Sequence, residues 1–362
     1  MSRFTSEAAF LACIDRHFPN EHPHMVRGRG DDCAVLACPE RMSLSSDLFL
    51  EGIHFRCSYF SPADIGYKSL AVNLSDLAAS GAVPLGFSLG LMVPPADREE
   101  ASADPAEGVV GGADAQCVLN GAPMGTEAYW DAFFEGMAEL AREHGVALTG
   151  GDLSKAPVLG VSVSVWGGPA ASEQGSVPFL HRSVAKAGDV VFITGDFGLA
   201  RIGLMALESM GRDAENLYPR AVRAHLRPVP RVADGQAIAR YAAVQGGEPR
   251  MGLMDLSDGL ARDLPRLVGT DKGSQLCVEL EIPEEAVHEE IATYCLANDL
   301  HALEQATLGG EDYALVGTCP PEWLEGLRTV LPGVRVLGHV AKGDVHMLNG
   351  MPWEPCGFDH FA

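Results

Sequence analysis

The stretch Met251-Gly252-Leu253-Met254-Asp255-Leu256-Ser257-Asp258-Gly259-Leu260 reads as a short apolar strand that ends on an aspartate, turns through Ser257 and enters a helix reaching Leu267. Strand, acidic turn and helix in one run mark a chain of mixed α and β structure. Five more turn-like clusters carry an aspartate: Gly30-Asp31-Asp32, Ser45-Ser46-Asp47, Ser75-Asp76, Gly150-Gly151-Asp152 and Gly309-Gly310-Glu311-Asp312. Glycine and serine let the backbone approach a ligand closely, and carboxylates and hydroxyls are the hard oxygen donors that magnesium selects. Loops far apart in sequence can thus meet at one metal-rich site.

Outward from that stretch, the pattern keeps alternating between helix and strand. A first helix is expected over 6–17, capped by Thr5 or Ser6, with Ala9, Phe10, Cys13 and Ile14 at helical spacing. Short strands follow near 34–37 and 42–45. Ser61-Pro62-Ala63-Asp64 opens a second helix by capping-box spacing and proline at its first position, and Gly81 closes it. That helix offers Leu70, Leu74, Leu77 and Ala78 for burial and sets Asn73, Asp76 and Ser80 along a neighbouring line. An aspartate there is costly unless something pairs with it.

Residues 94–126 are rich in Pro, Ala, Gly and Glu without a period and read as a long loop or insertion. A helix over 127–144 is stopped by Gly145, and a strand over 146–149 delivers Gly150-Gly151-Asp152. Strict alternation in Val161-Ser162-Val163-Ser164-Val165 marks a half-buried strand. Residues 167–178 read as a linker, followed by a strand over 189–194 and helices over 198–210 and 230–243. The expected division is a domain over 1–168, with its insertion at about 95–126, and an α/β domain over 169–362.

Composition narrows the function classes. The chain has 362 residues and is 47% hydrophobic, enough for two cores. A net charge of -23 repels nucleic acid and anionic membranes. No run of apolar residues is long enough to span a bilayer, and Met1 to Glu7 lacks a signal-peptide pattern, so the expected address is the cytoplasm. The nine cysteines form no Cys-x-x-Cys pair and read as reduced thiols. Neither a Gly-x-x-x-x-Gly-Lys loop nor a His-Glu-x-x-His zinc motif occurs, and Asp196-Phe197-Gly198 reads as a glycine turn after a strand.

Taken in order, the clusters resemble the thiamine-monophosphate kinase family. The resemblance runs through Gly30 to Leu36, Ser45-Ser46-Asp47 and Glu51-Gly52-Ile53-His54-Phe55, and Ala71 to Ala79. It continues through Gly150-Gly151-Asp152, Arg182-Ser183 before Gly188-Asp189, Asp255 to Leu260, Gly309 to Tyr313 and the terminal Gly357-Phe358-Asp359-His360-Phe361. It implies the α/β (α+β), two-domain fold of the aminoimidazole ribonucleotide synthetase superfamily, dimerising through the N-terminal sheet. It also implies transfer of the γ-phosphoryl group of ATP to thiamine monophosphate. By this carry-over Asp32, Ser45, Ser46, Asp47, Asp76, Asp152, Asp255 and Asp258 would hold several magnesium ions, with Asp32, Asp76 and Asp258 the most direct participants in transfer. Gly151, Asp152, Arg182 and Ser257 would hold ATP, and His54, Glu311 and Phe358 the acceptor.

The chemistry gives those residue types a reason. Donor and acceptor are both phosphate anions, and two unit charges ~4 Å apart repel by about 4 kcal/mol at an effective dielectric near 20. Cations bridging phosphate oxygens and aspartates turn repulsion into attraction and align the groups. An arginine adds bidentate phosphate contacts. Two features depart from the family pattern: Leu153 follows Gly-Gly-Asp where a hydroxyl is usual, and the insertion is long. Another ATP-dependent synthetase of the same superfamily, or a non-catalytic magnesium or nucleotide binder, stands as the alternative reading.

Overall fold

Ser6 opens the first helix, α1 (Glu7–His17), its Oγ accepting from the Ala9 N–H at 3.2 Å. This chain is described by a computed structural model at residues 6–95, 123–173, 175–246 and 250–354. Contacts divide it into two units, Met1–Asn73 with Pro84–Gly167, and Leu74–Val83 with Gly168–Ala362. The sequence-based cut at 168/169 does not separate out the segment Leu74–Val83, which groups here with the second unit.

The first unit continues with β1 (Met25–Arg27), β2 (Val35–Leu36), β3 (Ser43–Leu50), α2 (Pro62–Ala79), β4 (Val83–Val93), α3 (Glu127–His144), β5 (Ala147–Lys155) and β6 (Gly160–Gly168), the ends of α2 and β4 falling across the division. The α2 capping box forms as spelled: Ser61 Oγ donates to Asp64 Oδ2 at 2.6 Å, and the Asp64 N–H donates back to Ser61 Oγ at 3.2 Å. Thr126 caps α3, and Gly145, at φ 62, ends it in the left-handed region. Helices α2 and α3 cross at glycines: a Cβ on Gly66 would lie 1.9 Å from Phe133 O, and one on Gly136 2.0 Å from Ala63 O.

The four-stranded sheet has the order β3-β6-β4-β5, with β3 antiparallel to β6 and β4 parallel to β5. Val161, Val163, Val165 and Phe87 fill its buried face, where Phe18 stands edge-on to both Phe87 and Phe134. The period of two puts Leu44, Ser46 and Leu48 on the opposite, exposed face. Strand β5 runs on through Lys155, further than the 146–149 expected from sequence, because Gly150 to Lys155 pair with Ser88 to Val93 of β4.

The second unit contains a small hairpin, β7 (Ala171–Ser172) with β8 (Gly175–Ser176), inside the expected linker. It then adds β9 (Val190–Thr194), α4 (Leu199–Met210), α5 (Pro219–Leu226), α6 (Val232–Gln245), β10 (Gly252–Asp255), α7 (Leu260–Val268) and β11 (Leu276–Leu280). The chain ends in α8 (Glu289–Ala297), α9 (Ala302–Leu308), β12 (Leu315–Cys319), α10 (Leu324–Val330), β13 (Val334–Lys342), β14 (His346–Leu348) and β15 (Met351–Trp353). Its seven-stranded sheet has the order β10-β12-β9-β13-β11-β14-β15, antiparallel throughout except between β11 and β14. Val191, Phe192, Ile193, Val316 and Val340 form its buried centre.

Cys13, Cys33, Cys38, Cys277, Cys295 and Cys319 are free thiols as expected. Cys57 departs from that expectation: it is disulfide-bonded. No helix among the described residues is long and apolar enough to cross a membrane. Phe358 and most of the 95–126 insertion lie outside the described residues.

Candidate active site

Strand β10 ends on Asp255, and the chain turns through Ser257-Asp258-Gly259 into α7. Ser75, near the end of α2, donates its hydroxyl to Asp255 Oδ2 at 2.9 Å. Asp255 is buried, and burial followed by the charge of Asp76 pushes its carboxyl well above the ordinary range. Asp263 pushes the same way, while the Ser75 hydrogen bond and the charge of Arg182 pull against it. Four predicted residues, Asp76, Arg182, Asp255 and Asp258, therefore gather around one turn with Ser257.

Asp263, which sequence reading passed over, organises that turn. Its side chain is 0% exposed, and Oδ2 accepts from the N–H groups of Ser257 at 3.1 Å and Asp258 at 2.9 Å. Burial is the main cause that raises its carboxyl to about 6. Arg266 spans the two acids, with Nη1 2.6 Å from Asp258 Oδ2 and 3.1 Å from Asp263 Oδ1. The signal was an aspartate one helical turn inside α7 and five residues after Asp258, which closes back on the loop that precedes its helix.

The last cluster lies alongside the same turn. Glu311 N–H donates to Ser257 O at 2.8 Å, and Tyr313 N–H to Leu256 O at 3.0 Å. Gly310 is required there, since a Cβ would stand 2.6 Å from Ser257 O. Asp312 turns away to cap α4, accepting from Gly198 N–H at 2.5 Å and Ala200 N–H at 2.9 Å. Burial raises its carboxyl to about 7 against those two hydrogen bonds. Asp196-Phe197-Gly198 is the glycine turn expected after β9, with Gly198 at φ 83.

The first unit holds the other predicted residues. Asp32 is exposed, and its N–H donates to Asp31 Oδ1 at 2.8 Å, while Asp31 pairs with Arg27 at 2.5 Å. Ser45 and Asp47 share the half-buried face of β3, and the Asp47 N–H donates to Asn73 Oδ1 at 3.1 Å. Ser46 faces the other way: its Oγ donates to Val163 O at 3.2 Å and lies 2.9 Å from Ser164 Oγ. A metal shared with Ser45 and Asp47 would reach Ser46 through its backbone oxygen. Gly151 (φ 155) admits β4 closely, since a Cβ would lie 1.8 Å from Leu89 O, and Asp152 stands exposed on this edge strand. His54 Nδ1 accepts from the Leu50 N–H at 3.0 Å.

Carboxylates held together by burial, with hydroxyls and an arginine beside them, are a donor set of the hard-oxygen type that a divalent cation and phosphate groups neutralise. The group Cys13, His17 and Asp131 is different in kind. Arg16 lies 3.4 Å from Cys13 Sγ and 3.1 Å from Asp131, and His17 also reaches Glu135 at 3.1 Å. Those pairs tie α1 to α3, and burial raises the Cys13 thiol to about 11, away from the thiolate that binds metal.

The AIR synthase related protein, N-terminal domain, family matches residues 30–126 and 109–168, which sets the first unit in the superfamily expected from the ordered clusters. Over 350 residues the chain is 33% identical to thiamine-monophosphate kinase of Salmonella typhimurium, covering 92% of each. It is 33% identical to that of Bacillus subtilis, covering 85% of this chain and 82% of the other. The chain belongs to the thiamine-monophosphate kinase family.

The fold agrees. A structure of thiamine-monophosphate kinase from Stenotrophomonas maltophilia superposes with TM-score 0.71 at 25% identity, covering 97% of this chain and 98% of that one. One described as AaThiL complexed with AMPPCP and TMP gives 0.68 at 25% identity, covering 98% and 97%. Hydrogenase maturation protein HypE, at 18% identity and TM-score 0.66, shares the fold alone.

Proposed function

We propose that this chain transfers the γ-phosphoryl group of ATP to the phosphate of thiamine monophosphate, giving thiamine diphosphate and ADP, with no phosphoenzyme. The observation that carries the reading is the relation to thiamine-monophosphate kinases over 92% of the chain at 33% identity. The buried acidic turn is what this chemistry asks for: Asp255 and Asp263 are raised by burial, and Ser257 and Asp258 are held by their backbone. The acceptor phosphate is itself a nucleophile near neutral pH, so the protein's work is charge compensation and alignment.

Magnesium belongs to the proposal, with Asp32, Ser45, Ser46, Asp47, Asp76, Asp152, Asp255 and Asp258 as its candidate ligands. Bound there it would neutralise phosphate oxygens and aspartates alike. Gly151, Asp152, Arg182 and Ser257 are assigned to ATP, and His54, Glu311 and Phe358 to thiamine monophosphate. Residues 1–168 would thus supply much of the metal set together with His54, and 169–362 would contribute ATP contacts at Arg182 and Ser257 and acceptor contacts at Glu311 and Phe358.

The cytoplasm is the proposed location. A homodimer through the exposed sheet face is also part of the reading, supported by Leu44 at 65% and Leu48 at 55% exposure beside Ser46 and Ser164. Sedimentation of the wild type and of Ser164→Arg would test it, and a monomeric wild type would overturn that element. The decisive assay incubates the protein with ATP, magnesium and thiamine monophosphate and follows thiamine diphosphate, with Asp76→Asn as control. No product at any magnesium concentration would sink the assignment.

A further inference from the structure

We infer that His225 is a positioning residue that sets the carboxylate of Glu311 for the organic part of the acceptor. The inference rests on the assignment of Glu311 to the acceptor and adds a residue that no family motif quoted above contains. His225 occupies the last turn of α5, 2% exposed, with Nδ1 3.2 Å from Glu311 Oε2. The Glu311 side chain is 28% exposed, so a buried imidazole faces a carboxylate that still meets solvent.

Both ends of that contact are held. On the helix side, α4 and α5 meet at Gly203, where a Cβ would lie 2.0 Å from Ala221 O and 3.0 Å from His225 Cβ. The N-terminal turn of α5 is fixed by Glu290, which accepts from Arg220 N–H at 3.1 Å and Ala221 N–H at 2.8 Å. On the loop side, Glu311 sits at φ 63 and Tyr313 at φ 52, a region disfavoured for side chains of this size. Their N–H groups are bonded to Ser257 and Leu256, and Asp312 between them is anchored to α4.

Strain of this kind persists only where the surroundings over-determine it, and it collects at ligand-binding positions. A helix-packing site at 225 is served equally well by an apolar side chain, whereas burying an imidazole carries a desolvation cost. Strained backbone and buried polar ring converge on one partly exposed carboxylate. That is the arrangement of a binding group whose rotamer is fixed before the ligand arrives.

The test measures thermal midpoint, kcat, and KM for ATP and for thiamine monophosphate in the wild type, His225→Leu, His225→Asn, Glu311→Gln and the His225→Leu, Glu311→Gln double variant. His225→Asn keeps an amide near the position of Nδ1. The expected result is a rise of about tenfold in KM for thiamine monophosphate in His225→Leu, with KM for ATP within about twofold and much of the loss recovered in His225→Asn. The double variant should be no worse than Glu311→Gln alone. Unchanged KM in His225→Leu, or an equal rise for both substrates without recovery in His225→Asn, would overturn the inference. If His225→Leu does not fold, His225→Asn against Glu311→Gln decides: an Asn variant as impaired as Glu311→Gln overturns it. Failure of the reaction assignment is read separately, as absence of thiamine diphosphate with the wild type.

Discussion

Asp263 is fully buried and accepts from two backbone N–H groups, whereas Asp32 is exposed and its own N–H donates to the neighbouring Asp31. Asp263 serves the acidic turn at 255–258 from inside α7, and Asp32 belongs to an acidic turn that reads like it in sequence. In the first loop the carboxylates shape the backbone and carry the electrostatic cost of burial, so the fold itself depends on their protonation and partners. In the second they sit in water, where charge costs little. An acidic motif therefore says which chemistry is available, and burial decides whether the motif also carries stability.

The largest effect that can break this contrast is on turnover. Asp76→Asn and Asp258→Asn should each lower kcat for thiamine diphosphate formation by about 10²-fold or more, the scale of losing one charge-stabilising group. Ser46→Ala, whose hydroxyl is committed to the far sheet face, should stay within about threefold. A Ser46 variant as damaged as Asp76→Asn would mean that the hydroxyl on the far face of β3 takes part in turnover.

Stability supplies the next test. Both backbone donors meet the same oxygen, Oδ2, and Arg266 meets Oδ1, so Asp263→Asn turns its amide NH2 against either the two N–H groups or the guanidinium. The lost acceptor costs about 1–3 kcal/mol and lowers the thermal midpoint by several degrees. Asp32→Asn should leave the midpoint within about a degree, as exposed substitutions do. Equal midpoints for the two variants would erase the distinction between the loops.

A smaller effect follows pH. Asp312 rises from an ordinary 3.8 to about 7 in the folded chain, chiefly by burial. Between those values the folded form holds a proton that the unfolded form has released. Its contribution is thus fully present below about pH 4 and is lost as pH climbs through 7. Thermal midpoints of the protein without added nucleotide should fall across that window, and Asp312→Asn should flatten the fall. A steeper fall in the variant would contradict the sign.

The smallest effect concerns Leu153, half-buried in β5 beside the exposed Asp152. Leu153→Thr restores a hydroxyl, and one hydrogen bond of about 0.5–1.5 kcal/mol should lower KM for ATP by about 2–10-fold. An unchanged KM would place the missing hydroxyl outside nucleotide binding.

Local signals carried far where caps and periods agreed. Ser61-Pro62 with Asp64 marked the start of α2, and Gly145 the end of α3, within a residue or two. They failed where tertiary pairing outweighed propensity. Gly150-Gly151 reads as a turn, yet pairing with β4 keeps it in a strand, because backbone ladder bonds to a neighbour satisfy groups that a lone glycine pair would leave to a loop. Residues 167–178 were legible as a break in composition, but the hairpin at Ala171 to Ser176 depends on packing that composition does not encode.

In the candidate site the same line divides what could be read. The motif residues Asp76, Asp255, Ser257, Asp258 and Glu311 stood out by type and neighbour. Asp263 and His225 did not, and Asp312 stood out as part of a cluster but not by its role: it caps a helix that begins more than a hundred residues earlier. A carboxylate that serves as a cap looks in sequence like one that serves as a ligand. Only its donors tell them apart.

The left-handed backbone at Glu311 and Tyr313 has a practical bearing on protein engineering. A stabilisation campaign that scores residues by backbone compatibility would choose glycine at 311 and asparagine at 313, each relieving strain on the order of 1 kcal/mol. Such a protein would be hardier and, by the assignment of Glu311 to the acceptor, a poorer kinase. The gain would register in a melting curve and the loss only in an assay with thiamine monophosphate, so thermal selection alone would steer this enzyme away from its substrate.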